Sequence, residues 1–411
     1  MQSKRSHNFL IFACVLVWVI MMGSKNIYTA EYIEIGRVFG VSKPQASLAM
    51  TFYFLTYGFM QILLFFILDK LNIKWYMLIS VGLSGVVTVI ISIAIDVWQL
   101  WWILAINGIL QAGIWGMCTT VLNKFLPVSM KATANMFMNI GTAIAGIISY
   151  GSASLFVSFK RFDSPFTVLG IILFASAVIF FIAVKNCEKM NAKQPTKSPS
   201  SVIKHLTPTP FTLRSKRSKN LFFIITFLLS FLVHCAFYGT INWIPSLLQE
   251  NFGMREDLAI LISVLAPLAT MIGPIIAIKH CEKHVNFVTV GFVYFIIASA
   301  ISLVYVFIFD LNLVLSLIAI VLYLIIIQGA VTIVFSIISY KLCDYIDAGA
   351  HSGLMNAAGS FSAGIAPTVI GATIQSSGWE FSYLVIFVLT FIITISISVI
   401  LIYLNTHKKK S

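Results

Sequence analysis

The chain has 411 residues, 59% of them hydrophobic and 10% charged, with a mean hydropathy of +0.96 and a formal net charge of +13. A soluble domain needs about 25% charged residues to cover its surface, so a water-soluble globule is excluded and lipid must solvate much of the chain. Apolar runs of about 20 residues recur, the length at which a helix crosses a hydrocarbon core of about 30 Å. The alternating pattern of a membrane barrel is absent.

In chain order, hydropathy predicts twelve spans at roughly 9–30, 45–68, 75–95, 100–123, 132–157, 165–184, 221–243, 257–278, 286–309, 312–340, 351–374 and 380–404. The first follows Lys4 and Arg5 as a signal peptide would, but it lacks a small-x-small cleavage site and reads as a retained helix. Between the sixth and seventh spans lies one long polar segment with Pro195, Pro199, Pro208, Pro210 and the basic run Arg214, Lys216, Arg217 and Lys219. We therefore expect a six-helix bundle over 1–184, a cytoplasmic linker over 185–220 and a second six-helix bundle over 221–411 with a short basic tail. The fold class is all-α integral membrane.

Charge orients the chain. With the N-terminus inside, the cytoplasmic segments hold 21 of the 27 Lys and Arg, and the external loops hold only Arg37, Lys43, Lys160, Arg161 and Arg255. That asymmetry is the positive-inside rule. Both termini are expected in the cytoplasm, and the net charge reports topology and contact with anionic lipid rather than a nucleic-acid partner. The cysteines (Cys14, Cys118, Cys187, Cys235, Cys281, Cys343) fall in spans or cytoplasmic segments, so neither a disulfide framework nor a metal site is expected.

The halves repeat at an offset of 217, which places Gln111 on Gln328, Lys124 on Lys341, Met138 on Met355 and Asn139 on Asn356. Two parallel halves with a site between them is a transporter architecture. Large polar side chains form stripes four residues apart: Tyr53, Tyr57 and Gln61 in span 2; Asn107 and Gln111 in span 4; Asn135 and Asn139 in span 5; His234, Tyr238 and Asn242 in span 7; Ser352, Asn356 and Ser360 in span 11. Apart from Asn286 at the edge of span 9, spans 3, 6, 9 and 12 carry no Asn, Gln, His or Lys, which suits lipid-facing supports around a water-filled cavity. Spans 5 and 11 are rich in small residues that let helices approach and slide.

Lys25 is the sharpest single signal. A lysine at mid-depth costs about 2.5–3.5 kcal/mol on insertion scales. The 14 Asp and Glu all lie in loops or at span ends, the nearest being Glu31 and Glu34 at the outer end of span 1. A cation without a carboxylate beside a cavity points to an anionic substrate. His234 is the one mid-span histidine and the candidate for proton coupling.

The stretch Tyr238-Gly239-Thr240-Ile241-Asn242-Trp243-Ile244-Pro245 resembles the span 7 motif Tyr-Gly-x-x-Asp-Trp-x-Pro of the organophosphate:phosphate antiporter (sugar-phosphate permease) branch of the major facilitator superfamily. Lys25-Asn26, the segment Gly349 to Gly364 and the turn Gly378-Trp379 resemble the same branch. Of the superfamily's gating loop after span 2 only Asp69-Lys70 is present, with Phe65 in the place of its glycine. The resemblance implies two pseudo-symmetric six-helix bundles and a secondary transporter with no cofactor. The branch grips phosphate with arginines where Ser24 and Phe237 stand here, and Thr142 occupies its span 5 histidine position. These residues cannot make bidentate forks to phosphate.

We therefore expect an alternating-access carrier, monomeric in the lipid bilayer, moving a small anionic metabolite across the cytoplasmic membrane. Lys25, Asn26, Tyr57, Gln111, Asn139, His234, Tyr238, Asn242 and Asn356 are the candidate substrate-binding residues, and Asp69 and Lys70 the candidate gate. The alternatives are efflux of an amphipathic compound and a membrane sensor built on a transporter fold. No cluster suits a membrane enzyme.

Overall fold

The computed structural model describes residues 2–67, 71–159, 163–191, 216–283, 287–337 and 348–408. In lipid a backbone must bond to itself, and helix is the regular structure throughout these residues. Among the described residues, eleven stretches are long and apolar enough to cross a bilayer. The last, Gly353–Ser398, has 46 residues, about 69 Å of helix and twice what one crossing needs. Gly378 divides it with φ +83°, so the eleven stretches hold the twelve crossings that hydropathy predicts.

The elements are α1 (Gln2–Ala30), α2 (Tyr32–Phe39), α3 (Lys43–Ile67), α4 (Ile73–Ile91), α5 (Val97–Gln111), α6 (Ile114–Phe125), α7 (Val128–Ser158), α8 (Ser164–Asn191), α9 (Lys216–Ile241), α10 (Ile244–Phe252), α11 (Glu256–Ile262), α12 (Leu265–Lys283), α13 (Phe287–Ile308) and α14 (Leu313–Thr332), which runs into a π-turn at Ile333–Ile337. The bent α15 (Ala348–Lys408) follows. Cα packing divides the chain into two units: the first holds α1, α2, α3 from Phe52 and α4–α8, and the second holds Ser42–Thr51 and α9–α15.

In the first unit α1 packs on α7 and α8, and α4 packs on α8 and α5. The α4–α8 crossing needs glycine, because a Cβ on Gly85 would stand 2.6 Å from Phe174 N and 2.7 Å from Gly170 O. In the second unit α9 packs on α15, α12 on α14, and α13 on both α14 and α15. The first turns of α3 are tied into this unit by Lys43 Nζ on the Glu250 carboxylate (2.6 Å), Trp379 Nε1 donating to the same group (3.0 Å) and Thr51 Oγ1 donating to Gly364 O (2.7 Å).

Local chemistry repeats between the units. Span 1 bends at Glu31 (φ −106°, ψ 18°) into α2, which ends at the left-handed Gly40. Span 7 bends at Trp243 (φ −105°, ψ 5°) into α10, which ends at the left-handed Gly253. Glycine is favoured at both ends because the αL conformation carries no Cβ penalty there. Spans 4 and 10 each begin on an Asx cap, Asp96 accepting from Trp98 N and Asn312 accepting from Val314 N and Leu315 N.

Candidate functional site

Lys25 sits half-buried on α1. Its Nζ lies 5.1 Å from the centre of the Phe54 ring on α3, a cation–π contact. No carboxylate comes within ion-pair distance of it among the described residues. Glu31 and Glu34, its nearest acids in sequence, are themselves buried at 1% and 7% exposure, and Glu34 pairs with Arg37. Phe54 meets Tyr57 edge-to-face at 6.4 Å, and Tyr57 stacks on Tyr53 at 5.7 Å. Lys25 and Tyr57 thus both contact the Phe54 ring. Asn26 is half-buried beside them, and its backbone carbonyl accepts from Thr29 Oγ1.

Two turns before Lys25, Trp18 packs against Trp115 of α6 with ring centres 4.5 Å apart. Its indole N–H donates to Thr142 Oγ1 of α7 at 2.9 Å. Thr142, at the branch's histidine position, therefore serves as an indole acceptor. Sequence reasoning missed Trp18 and Phe54. The seven-residue spacing from Trp18 to Lys25, which puts both on one helix face, could have revealed the first.

Gln111 lies elsewhere. It is fully buried between α3, α4 and α5, accepting from Tyr53 Oη (2.6 Å) and donating to Ser84 Oγ (2.8 Å) and Asn107 Oδ1 (3.2 Å). Ser84 donates to Asn107 in turn, and Asn107 to Thr88. Span 3, a lipid-facing support by its lack of large polar residues, contributes two hydroxyls to this network. Asn139 on α7 is exposed, with its amide bonded to Asn135 O one turn back.

In the second unit His234 is 8% exposed, with Nδ1 2.7 Å from Ser230 O. Its ring stacks with Tyr238 at 6.0 Å and lies over α15, where a Cβ on Gly359 would come within 3.0 Å of Nε2. Ser230 Oγ donates to Met355 O, so α9 and α15 meet beside Asn356, which is half-buried. Asn242 is 8% exposed at the bend after α9. Next to it, Trp243 donates to Pro367 O at 2.9 Å and fills the space over Gly371, where a Cβ would stand 2.5 Å from the indole. His234, Tyr238, Asn242 and Asn356 are thus gathered on one helix pair. Asp69 and Lys70 lie outside the described residues. All five described free cysteines are buried, and no group of three His, Cys, Asp or Glu suited to a metal occurs among the described residues.

The family signature of the Major Facilitator Superfamily matches residues 13–351. The chain belongs to this superfamily. It is 23% identical over 233 residues to a glycerol-3-phosphate transporter of Bacillus subtilis (strain 168), covering 53% of this chain and 52% of that one. It is 21% identical over 274 residues to a probable sulfoacetate transporter of Cupriavidus necator, covering 66% and 63%. The match thus spans between half and two thirds of these relatives. In fold it resembles a bacterial homologue of the human lysosomal transporter Spinster in an inward-facing, unoccupied conformation (TM-score 0.73, 14% identity, 96% of each chain). It also resembles the nucleoside transporter NupG (TM-score 0.65, 14% identity, 96% of this chain and 98% of that one).

Proposed function

We propose that this superfamily member carries a small organic anion by alternating access, with Lys25 as the group that attracts it. The carrying observation is Lys25 itself: a half-buried ammonium on a spanning helix that lies over the face of Phe54, with no carboxylate in ion-pair distance among the described residues. A lysine held in such a place without a carboxylate is costly unless a ligand or water meets it. The names of the two relatives, a glycerol-3-phosphate transporter and a probable sulfoacetate transporter, support an anion.

Asn26, next to Lys25 in sequence, and Tyr57, packed against the Phe54 ring that lies under the ammonium, are the candidate hydrogen-bonding groups nearest to it in the first unit. Within the second unit taken by itself, His234, Tyr238, Asn242 and Asn356 are the candidate polar groups, while in the first unit Asn139 is exposed and Gln111 is held in its buried network. The charge asymmetry of the loops supports a protein of the cell inner membrane with both termini cytoplasmic. Replacing Lys25 with Met should reduce uptake of the anion to background in proteoliposomes while the protein still inserts and purifies. Lys25→Arg should retain a part of it. Unaltered uptake in Lys25→Met would remove the anion site.

A further inference from the structure

The surroundings of Lys25 carry more than a charge. On α1, Trp18, Met22 and Lys25 follow one another at i, i+4 and i+7, so they share a face, and the rise between the two ends is about 10 Å. Met22 and Lys25 are half-buried, as is Trp115, which packs on Trp18 from α6. At the charged end the neighbours are again rings, Phe54 under the ammonium and Tyr57 against Phe54. One half-buried cation thus stands at the head of a strip in which the half-buried Met22 and Trp115 are partly exposed and are backed by Trp18 and Phe54, buried at 7% and 6% exposure, all of it within the first unit.

Two consequences follow for the ligand. Between Lys43 and the end of α3, from Val97 to Leu122 and from Ala132 to Ser158, there is no second Lys or Arg, and on α1 the next is at Arg5. A phosphate monoester, carrying about −1.5 to −2 at neutral pH, would therefore bring more charge into the site than one ammonium neutralises, and leaving charge unpaired in an apolar setting is heavily penalised. A monoanion is matched. The rest of the strip offers flat and deformable apolar surface, which small hydrophilic acids leave uncovered and a planar apolar body covers.

We infer that the ligand of this site is a monoanion with a planar apolar body, an aryl carboxylate or aryl sulfonate about 10 Å long, seated with its acid group at Lys25 and its ring toward Trp115. This rests on the reading of Lys25 as the anion site. The test uses the full-length protein in nanodiscs, with binding followed by tryptophan fluorescence and by thermal shift. The probes are 1-naphthoate, its neutral alcohol 1-naphthalenemethanol, sulfoacetate and glycerol 3-phosphate.

Naphthoate should bind at least tenfold more tightly than the other three. Trp115→Ala should weaken naphthoate at least tenfold and leave sulfoacetate unchanged, and Trp115→Phe, which keeps a ring and tests for misfolding of the alanine variant, should restore most of the preference. Lys25→Met should reduce naphthoate to the level of the neutral alcohol. If sulfoacetate or glycerol 3-phosphate binds as tightly as naphthoate and is lost in Lys25→Met, the anion site stands and the apolar-body inference is overturned. If naphthoate binds equally well to Lys25→Met, the reading of Lys25 itself fails. Binding of none of the probes by the wild-type protein overturns the inference as well.

Discussion

The same helix crossing is built twice in this chain, with the glycine on opposite partners. In the first unit Gly108 of α5 meets α3, where an added Cβ would stand 2.2 Å from Tyr53 O. In the second unit Gly273 of α12 meets α14, where an added Cβ would stand 2.2 Å from Ile325 O. At the offset of 217 Ile325 is the counterpart of Gly108. Close approach of two backbones requires one missing side chain, and which helix gives it up is free.

The polar residue one turn further on behaves differently in the two units. Gln111 is sealed in the network of Tyr53, Ser84 and Asn107. Its counterpart Gln328 is half-buried, and no hydrogen bond reaches its Oε1. The first unit's crossing is locked by polar bonds; the second unit's is held by packing, and the π-turn at Ile333–Ile337 follows it directly.

Three measurements can break this comparison. The largest effect is expected at the glycines: Gly108→Val and Gly273→Val should each destabilise by about 3 kcal/mol or more, because backbone would have to move. Thermal unfolding of the purified variants reads this, and a tolerated valine at either site would show that the crossing there is looser than its geometry.

A smaller and asymmetric effect is expected at the glutamines. Gln111→Leu should cost about 1–3 kcal/mol by stranding the groups it bonds, whereas Gln328→Leu should lie within about 0.5 kcal/mol of wild type. Equal melting temperatures for the two variants would erase the distinction between a locked and a packed crossing.

The smallest effect belongs to the ion pairs. Lys74 bonds Glu188 at 2.6 Å in the first unit and Lys43 bonds Glu250 at 2.6 Å in the second, with all four side chains 18–40% exposed. Lys74→Met and Lys43→Met should each cost less than about 1 kcal/mol, and raising salt to about 1 M should shrink the difference from wild type. Each ammonium also lies over a ring, 5.5 Å from Trp379 for Lys43 and 5.7 Å from Phe181 for Lys74, and the Lys43 variant should lose slightly more because tryptophan is the stronger cation–π partner.

What the sequence determined by itself was set by the solvent. Lipid demands about 20 apolar residues per crossing and internally bonded backbone, so span positions, the helical class and the outlying Lys25 could be read without coordinates. The span 7 stretch from Tyr238 to Pro245 was enough to point to the superfamily. The tertiary structure alone decided what each polar group faces. Asn107 and Gln111 follow the same four-residue rule as His234 and Tyr238, yet the first pair bonds to α4 and α3 while His234 lies against α15 with Tyr238 stacked on it.

Periodicity puts residues on one face of a helix and says nothing about which neighbour covers that face. For the same reason Trp18 and Phe54 read as ordinary apolar positions until Phe54 was seen under the cation and Trp18 against Trp115.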